Sequence, residues 1–352
     1  MSTADGGGSQ FRGVIATTLT IQQDAATIVV NTSSSEAVWA MAFHPDGKHL
    51  LGGGMNGLRR WRIADGEEVG EQIGMNVRAI SVSRDHKWVV CGTTWGVSVW
   101  DAEIREKAIE VESTHTVTAI DISPDSTTLA TVRYGKSEAF IWSIITGEKL
   151  VGPLQHDKAV SRIKFSPNSG EHKVATVCEG GSIRIFDSRN GDQLIHINST
   201  IPGFSAVTSV VWSNDEHQIL AVASKDKRIK VLDVTTGSQL AESHVFNGAS
   251  IGSIAPAANG KFIAAITNPS SISLLDASTL AQVGPVIQDS DSRIWSIALS
   301  PDGSHLATGG YNGKIVIRNL SNILQESVGY YHFITGTISL ISSLCARTPG
   351  GS

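Results

Sequence analysis

Seven times along the chain, short runs of alternating apolar and small or polar residues are followed by a turn and a second apolar run. The runs begin at Val38, Val77, Val117, Val160, Val207, Ile251 and Ile294, as in VWAMAF, VTAIDIS and IWSIALS. Alternation with period two is the signature of a pleated strand with one face buried. Turns such as HPDG (44–47), SPDS (123–126), SPNS (166–169) and SPDG (300–303) follow, where proline presets φ and Asp, Asn or Gly closes the bend. Second runs (HLLGGG, WVVCGT, TLATV, KVATV, FIAAIT, HLATGG) lead to third strands closing on Trp61, Trp100, Trp142, Phe186, Leu232, Leu275 and Arg318. Glycine-containing turns (ADGEE, ITGEKL, RNGDQL, TTGSQL) then feed a short edge strand. Successive starts lie 39 to 47 residues apart. Four strands at that period predict an all-β, seven-bladed β-propeller of four-stranded antiparallel blades.

The residues that carry this pattern include VWD at 99–101, SPDSTTLATV at 123–132 and SPDGSHLATGGYNGKIVIRNL at 300–320, and through them the chain resembles the WD-repeat propellers. The resemblance runs from Val38 to Leu320. It implies blades around a central channel and a protein that scaffolds complexes or reads peptides. Many blades of that family hold a buried set of His before the first strand, Ser on the second, Asp in the next turn and Trp on the third. Here no blade has all four: His156 precedes Val160 but Gly180 stands where Asp is usual, Ser224 and Asp226 belong to a blade ending in Leu232, and Arg318 replaces Trp in the seventh. Apolar packing is therefore expected to carry more of the stability, with the seventh blade the least regular.

Ring closure requires one more strand, since the seventh repeat runs out near Leu324. ATIVVN (residues 26–31) is β-rich and is expected to supply the outer strand of blade seven, ahead of FRGVIATTLTI upstream, so that no sheet edge is left open. The predicted organisation is a flexible segment at 1–25, the propeller at 26–325 and a non-repeat tail at 326–352. From 327 to 346 the tail has no Asp, Glu, Lys or Arg and a single histidine, His332, but its many Ser, Thr and Gly residues argue against a span, which needs ~20 mostly apolar residues.

Composition narrows the function classes. A net charge of −5 and a sequence pI near 6.1 give no long-range attraction for nucleic acid or an anionic membrane. No secretory signal pattern opens the chain, and Cys91, Cys178 and Cys345 are odd in number and far apart. A cytoplasmic or nuclear protein with reduced, buried thiols is expected. No nucleophile elbow, phosphate loop, zincin helix or paired-cysteine site is present. Gly52, Gly53 and Gly54 link two strands, whereas phosphate loops open helices, so they predict a crowded bend. His44, His49, His86, His217 and His305 fall in or near first-to-second strand turns and are expected to be solvated; Asp101, Asp187, Asp233 and Asp276 are expected to close turns. No cofactor and no metal are expected, and a binding platform is favoured over an enzyme. The alternative is a propeller hydrolase or lactonase with a metal in the channel, but Asp121 stands almost alone among inner-strand carboxylates.

Two sets of residues are candidates for binding a protein or peptide partner. Trp39 and Trp295 each follow the first apolar residue of an innermost strand, and Arg78 holds the equivalent place in NVRAISV. By resemblance, that register lies at the channel mouth on a face WD-repeat proteins use for peptides. Blades seven, one and two are neighbours in a closed ring, so these residues are expected to form one patch, with Arg293 and Tyr311 nearby. Lys225, Lys227 and Arg228, in SKDKRIK, offer a cationic turn for an acidic or phosphorylated segment.

Overall fold

Each repeat folds into an antiparallel sheet, and the seven sheets close into a ring in this computed structural model. It describes residues 27–31 and 37–323, apart from 104, 113–114, 169, 198–206, 214–216, 224–225, 248–250, 258–259, 290–292 and 322. The expected segments 1–25 and 326–352 lie outside the described residues. The innermost strands are Val38–Phe43, Val77–Val82, Val117–Ile122, Val160–Phe165, Val207–Trp212, Ile254–Pro256 and Ile294–Leu299. Each touches its neighbours on both sides around the ring.

The alternation explains what fills the space between blades. In blade four, Val160, Ile163 and Phe165 pack on Ala130, Ile141 and Val151 of blade three. In blade five, Val207, Val210 and Trp212 pack in the same way on Ala175, Val177 and Ile185 of blade four. First, fourth and sixth inner-strand residues thus cover the preceding blade, whereas Ala119, the third inner-strand residue of blade three, joins the cluster shared with blade four. The glycines at the end of some second strands permit the closest approaches. A Cβ on Gly53 would lie 2.6 Å from Val77, and one on Gly309 would lie 2.8 Å from Val38. This is the crowded bend that the GGG run implied.

The strand Thr27–Asn31 completes blade seven, antiparallel to Lys314–Asn319, with Thr27 opposite Arg318 and Asn31 opposite Lys314. Val30 enters the core cluster between blades seven and one, beside Val38, Phe43, Ile315 and Ile317.

Three expectations about regularity are corrected. Blade one has three full strands; its fourth position is held by isolated bridges from Leu58 to Ile73 and from Trp61 to Glu68. Between them Gly70, at φ +75°, turns the chain out of the ladder. In blade six the inner strand starts at Ile254, not Ile251. Gly252 and Ser253 both bond to Ile266, so the chain there is kinked against its partner before the strand begins. Blade seven, expected to be the least regular, holds Arg318 in a buried polar triad. Arg318 Nη1 donates to Thr308 Oγ1 at 3.1 Å, Nη2 donates to Asp289 Oδ1 at 3.1 Å, and Thr308 donates to Asp289 Oδ2 at 2.6 Å.

Partial polar sets survive elsewhere. Trp142 Nε1 donates to Thr131 Oγ1 at 2.8 Å in blade three, and His156 Nε2 lies 2.7 Å from Thr176 Oγ1 in blade four. Burial, and then the nearby Arg184 guanidinium, push the His156 pKa down from 6.5 to about 4. The unfolded chain therefore binds this proton between those pH values and the folded one does not. The contribution is complete above pH 6.5 and is lost as the pH falls toward 4, by roughly 3 kcal/mol. Asp46 and Asp302, held at about 2, act in a lower window, between 3.8 and 2. Denaturant titrations across pH 7 to 4 should show wild type losing more stability than His156→Gln; parallel profiles would refute this assignment.

Candidate partner-binding face

At the start of the inner strands of every blade but the sixth, the pairing with the second strand slips by one residue. Val38 faces Gly54 while Ala40 faces Gly53, so Trp39 is the extra residue of a bulge. Arg78 is the extra residue between Val77 and Ala79, and Trp295 between Ile294 and Ser296. A bulge re-aims its extra side chain away from the ladder. The same slip places Thr118 and Ser161 in blades three and four. The ring of bulges is thus lopsided: large aromatic or cationic side chains on blades seven, one and two, small polar ones on blades three and four.

The structure brings the candidates together in two contacts. The Arg78 guanidinium lies over the Trp39 ring, 3.8 Å from its centroid. In blade seven the Arg293 guanidinium lies 5.7 Å from the Trp295 centroid, and the Trp295 and Tyr311 rings are 6.5 Å apart. Tyr311 is tied to this end by its N–H, which donates to the Arg293 carbonyl at 3.0 Å. Trp39 is half-buried, while Trp295 and Tyr311 are 48% and 64% exposed.

Further members went unnoticed in the sequence. Trp95 in blade two and Tyr134 in blade three are 80% and 73% exposed, and Met55 of blade one is exposed as well. All three sit where Tyr311 does, just after a second strand. Because the second strand's end pairs with the inner strand's start, they share the end of the ring that carries Trp39, Arg78 and Trp295. Comparing TTW, RYG and GMN with GYN would have revealed them. Among the described residues, the exposed Trp and Tyr side chains are Trp95, Tyr134, Trp295 and Tyr311, all on this end.

The cationic turn is arranged differently from the free cluster expected of it. Arg228 Nη1 donates to Glu242 Oε1 at 2.6 Å and to the Ser243 carbonyl at 3.1 Å. Lys227 is half-buried at φ 54°, and Lys225 lies outside the described residues. The opposite end of the ring carries the first-to-second strand turns. His44 is buried there, contrary to the solvated place expected for it, because it packs 5.7 Å from the His86 ring of the next blade. Burial lowers the His44 pKa, against the opposing pull of Asp46. Among the described residues, no group of three or more His, Cys, Asp or Glu is placed to hold a metal ion. The third-strand carboxylates close turns: Asp233 accepts from the Thr235 and Thr236 N–H groups, and Asp276 from those of Ser278 and Thr279. Asp121, the inner strands' one carboxylate among the described residues, accepts from Lys164 Nζ at 2.7 Å and from the Phe165 N–H at 2.9 Å. No helix among the described residues is long and apolar enough to cross a membrane.

Comparison with known proteins agrees with this architecture. Residues 26–58, 196–233 and 284–319 match the family model of the WD domain, G-beta repeat. Over 90 residues the chain is 28% identical to WD repeat-containing protein 1 of Xenopus tropicalis, spanning 26% of this chain and 14% of that protein. Over 168 residues it is 27% identical to Actin-interacting protein 1 of Drosophila melanogaster, spanning 46% of this chain and 26% of that protein. The matches thus cover about a quarter or less of these relatives' length. Three stretches of the chain thus match the WD repeat, and the chain folds as a seven-bladed β-propeller of the kind that repeat builds.

Proposed function

We propose that this propeller is a non-enzymatic interaction platform, and that it holds a protein or peptide partner on the channel-mouth arc formed by blades seven, one, two and three. The observation that carries this reading is the gathering of the exposed Trp and Tyr side chains on one end of the ring. Aromatic and arginine side chains bury much area at low cost in side-chain freedom, and they dominate measured interface energies. Arg78 stacked on Trp39, and Arg293 beside Trp295, add cations held in place by ring faces. Buried, unpaired Cys91 and Cys178 suit a reducing compartment, so we place the protein in the cytoplasm or nucleus. Because one relative is named for interacting with actin, actin is the first partner to offer it.

The test removes two exposed anchors, Trp95→Ala together with Trp295→Ala. Both side chains are largely in solvent, so the melting temperature should stay within a few degrees. Each anchor should contribute ~2 kcal/mol, or about 30-fold in affinity for the captured partner. Co-sedimentation with actin, and affinity capture followed by titration of the purified partner, read the loss. A double variant that melts normally and keeps its partner at wild-type affinity overturns the assignment of this face.

A further inference from the structure

The channel carries a charge pattern opposite to that of the whole protein. The chain has a net charge of −5. Its seven inner strands carry three cations, Arg78, Arg162 and Lys164, against the single carboxylate of Asp121. Two of the cations are engaged, Lys164 with Asp121 and Arg78 with the face of Trp39. Arg162 is not. Among the described residues its one hydrogen bond runs from Nη1 to the carbonyl of its own neighbour, Ser161, at 2.8 Å, and no carboxylate pairs with it.

The position of Arg162 follows from the register. It stands directly after the bulge of blade four, opposite Val177, where other blades have Ala40, Ala79, Ala119, Ser209 and Ser296. Val160, Ile163 and Phe165 on the same strand cover blade three, and Arg162 leaves the strand on its other face, exposed at the innermost edge of blade four, which borders the channel. Its side chain is exposed to solvent there, although the surrounding protein lowers its pKa through desolvation. A guanidinium confined between low-dielectric walls attracts a counter-charge more strongly than one on open surface. With Nη1 on Ser161, its Nε and Nη2 edge is left to form the paired bonds that a carboxylate accepts.

We propose that Arg162 is a carboxylate site inside the channel, which takes an Asp or Glu side chain or a C-terminal carboxylate of an extended partner segment. A single positive charge in a confined bore is neutralised by a single negative one. A phosphate dianion would leave a charge uncompensated, because Arg78 and Lys164 are already engaged. The segment would run over the aromatic arc and dip into the bore beside its blade-three end. In naming the partner's chemistry this rests on the proposed function, but the site itself can be tested without a partner.

Sodium acetate is the probe, with the full chain at constant ionic strength in chloride. Saturation transfer from protein to the acetate methyl group should give a saturable signal in wild type. Arg162→Ala should weaken apparent affinity at least 10-fold, Arg162→Lys should restore part of it, and Leu240→Ala, on the exposed outer strand of blade five, should leave it unchanged. Inorganic phosphate should displace acetate only at concentrations above those at which acetate itself binds. Equal signals in wild type and Arg162→Ala, or phosphate displacing acetate at lower concentration, would overturn the proposal. Loss of partner capture in the tryptophan double variant alongside unchanged acetate transfer in Arg162→Ala would sink this site alone. The reverse pattern would sink the binding face and keep the site.

Discussion

Deleting residues 1–31 should lower the melting temperature by roughly 10 °C or more and promote association between molecules. The deletion removes Thr27–Asn31, the strand that completes blade seven along five residue pairs. Val30 leaves a core cluster it shares with Val38, Phe43 and Ile317, and Ile28, packed against that cluster, goes with it. Burying two such side chains contributes about 3 to 5 kcal/mol, and the ladder adds about 1 kcal/mol for each net hydrogen bond. For a domain of this size 1 kcal/mol is worth about 2 °C or somewhat more. The Lys314–Asn319 strand would become an open edge, ready to pair with another chain. Two point variants separate burial from edge effects, because Val29 is half in solvent whereas Val30 is buried. Val30→Asp should reproduce much of the loss and Val29→Thr almost none. Removing 328–352 disturbs none of the strand pairs described above and should cost much less. Calorimetry of the two truncations decides; a larger drop from the C-terminal one would mean that closure depends on another segment.

The features legible in the sequence were those set by local, repeated physics. Period-two runs, Pro-Asp-Gly turns and a 39-to-47-residue spacing reveal strands without reference to any distant contact. The closing strand was legible because a ring with an unpaired edge is a physical problem, and ATIVVN was the β-rich run placed to solve it. Features that depend on one backbone angle or one long-range partner were hidden. Gly70 looks like any turn glycine, yet its positive φ costs blade one its fourth strand. Ile251 has the right spacing and burial for a strand start, but the kink at Gly252 delays the strand to Ile254.

The candidate site was half legible for the same reason. Trp39, Arg78 and Trp295 share one place in the repeat, and that place is the bulge. Trp95 and Tyr134 share the place of Tyr311, but they lie in turns of unequal length, TTW against RYGKS, so alignment by eye misses them. Arg162 was invisible because its significance lies in the ion pair it lacks, which is a property of three dimensions. Arg228 errs in the other direction: a basic run in sequence is no free basic patch once Glu242 is within 2.6 Å.

Asp289→Ala should destabilise the protein by about 3 to 5 kcal/mol, out of proportion to the single carboxylate it removes, whose side chain is 17% exposed. The reason lies in Arg318, whose side chain is only 6% exposed. Its Nη2 donates to Asp289 and its Nη1 to Thr308, while Thr308 itself donates to Asp289. Without the carboxylate, a charge stays buried with a single hydroxyl as partner, and Thr308 loses its acceptor. Arg318→Met should cost less, because it removes the buried charge, and Asp289, with more access to water, can be solvated. The pair should therefore be coupled: the Asp289→Ala/Arg318→Met double variant should be more stable than Asp289→Ala alone, by 2 kcal/mol or about that. The triad spans the same three places as the polar set of related propellers, with Asp289 ahead of the first strand, Thr308 on the second and Arg318 on the third. Asp289→His with Arg318→Trp should accordingly fold and recover most of the lost stability, since Trp142 already donates to Thr131, and His156 pairs with Thr176, in neighbouring versions of that geometry. Urea denaturation of the four variants gives the cycle directly. Additive costs for Asp289→Ala and Arg318→Met, or a loss below 1 kcal/mol for Asp289→Ala, would show the triad to be an ordinary surface ion pair.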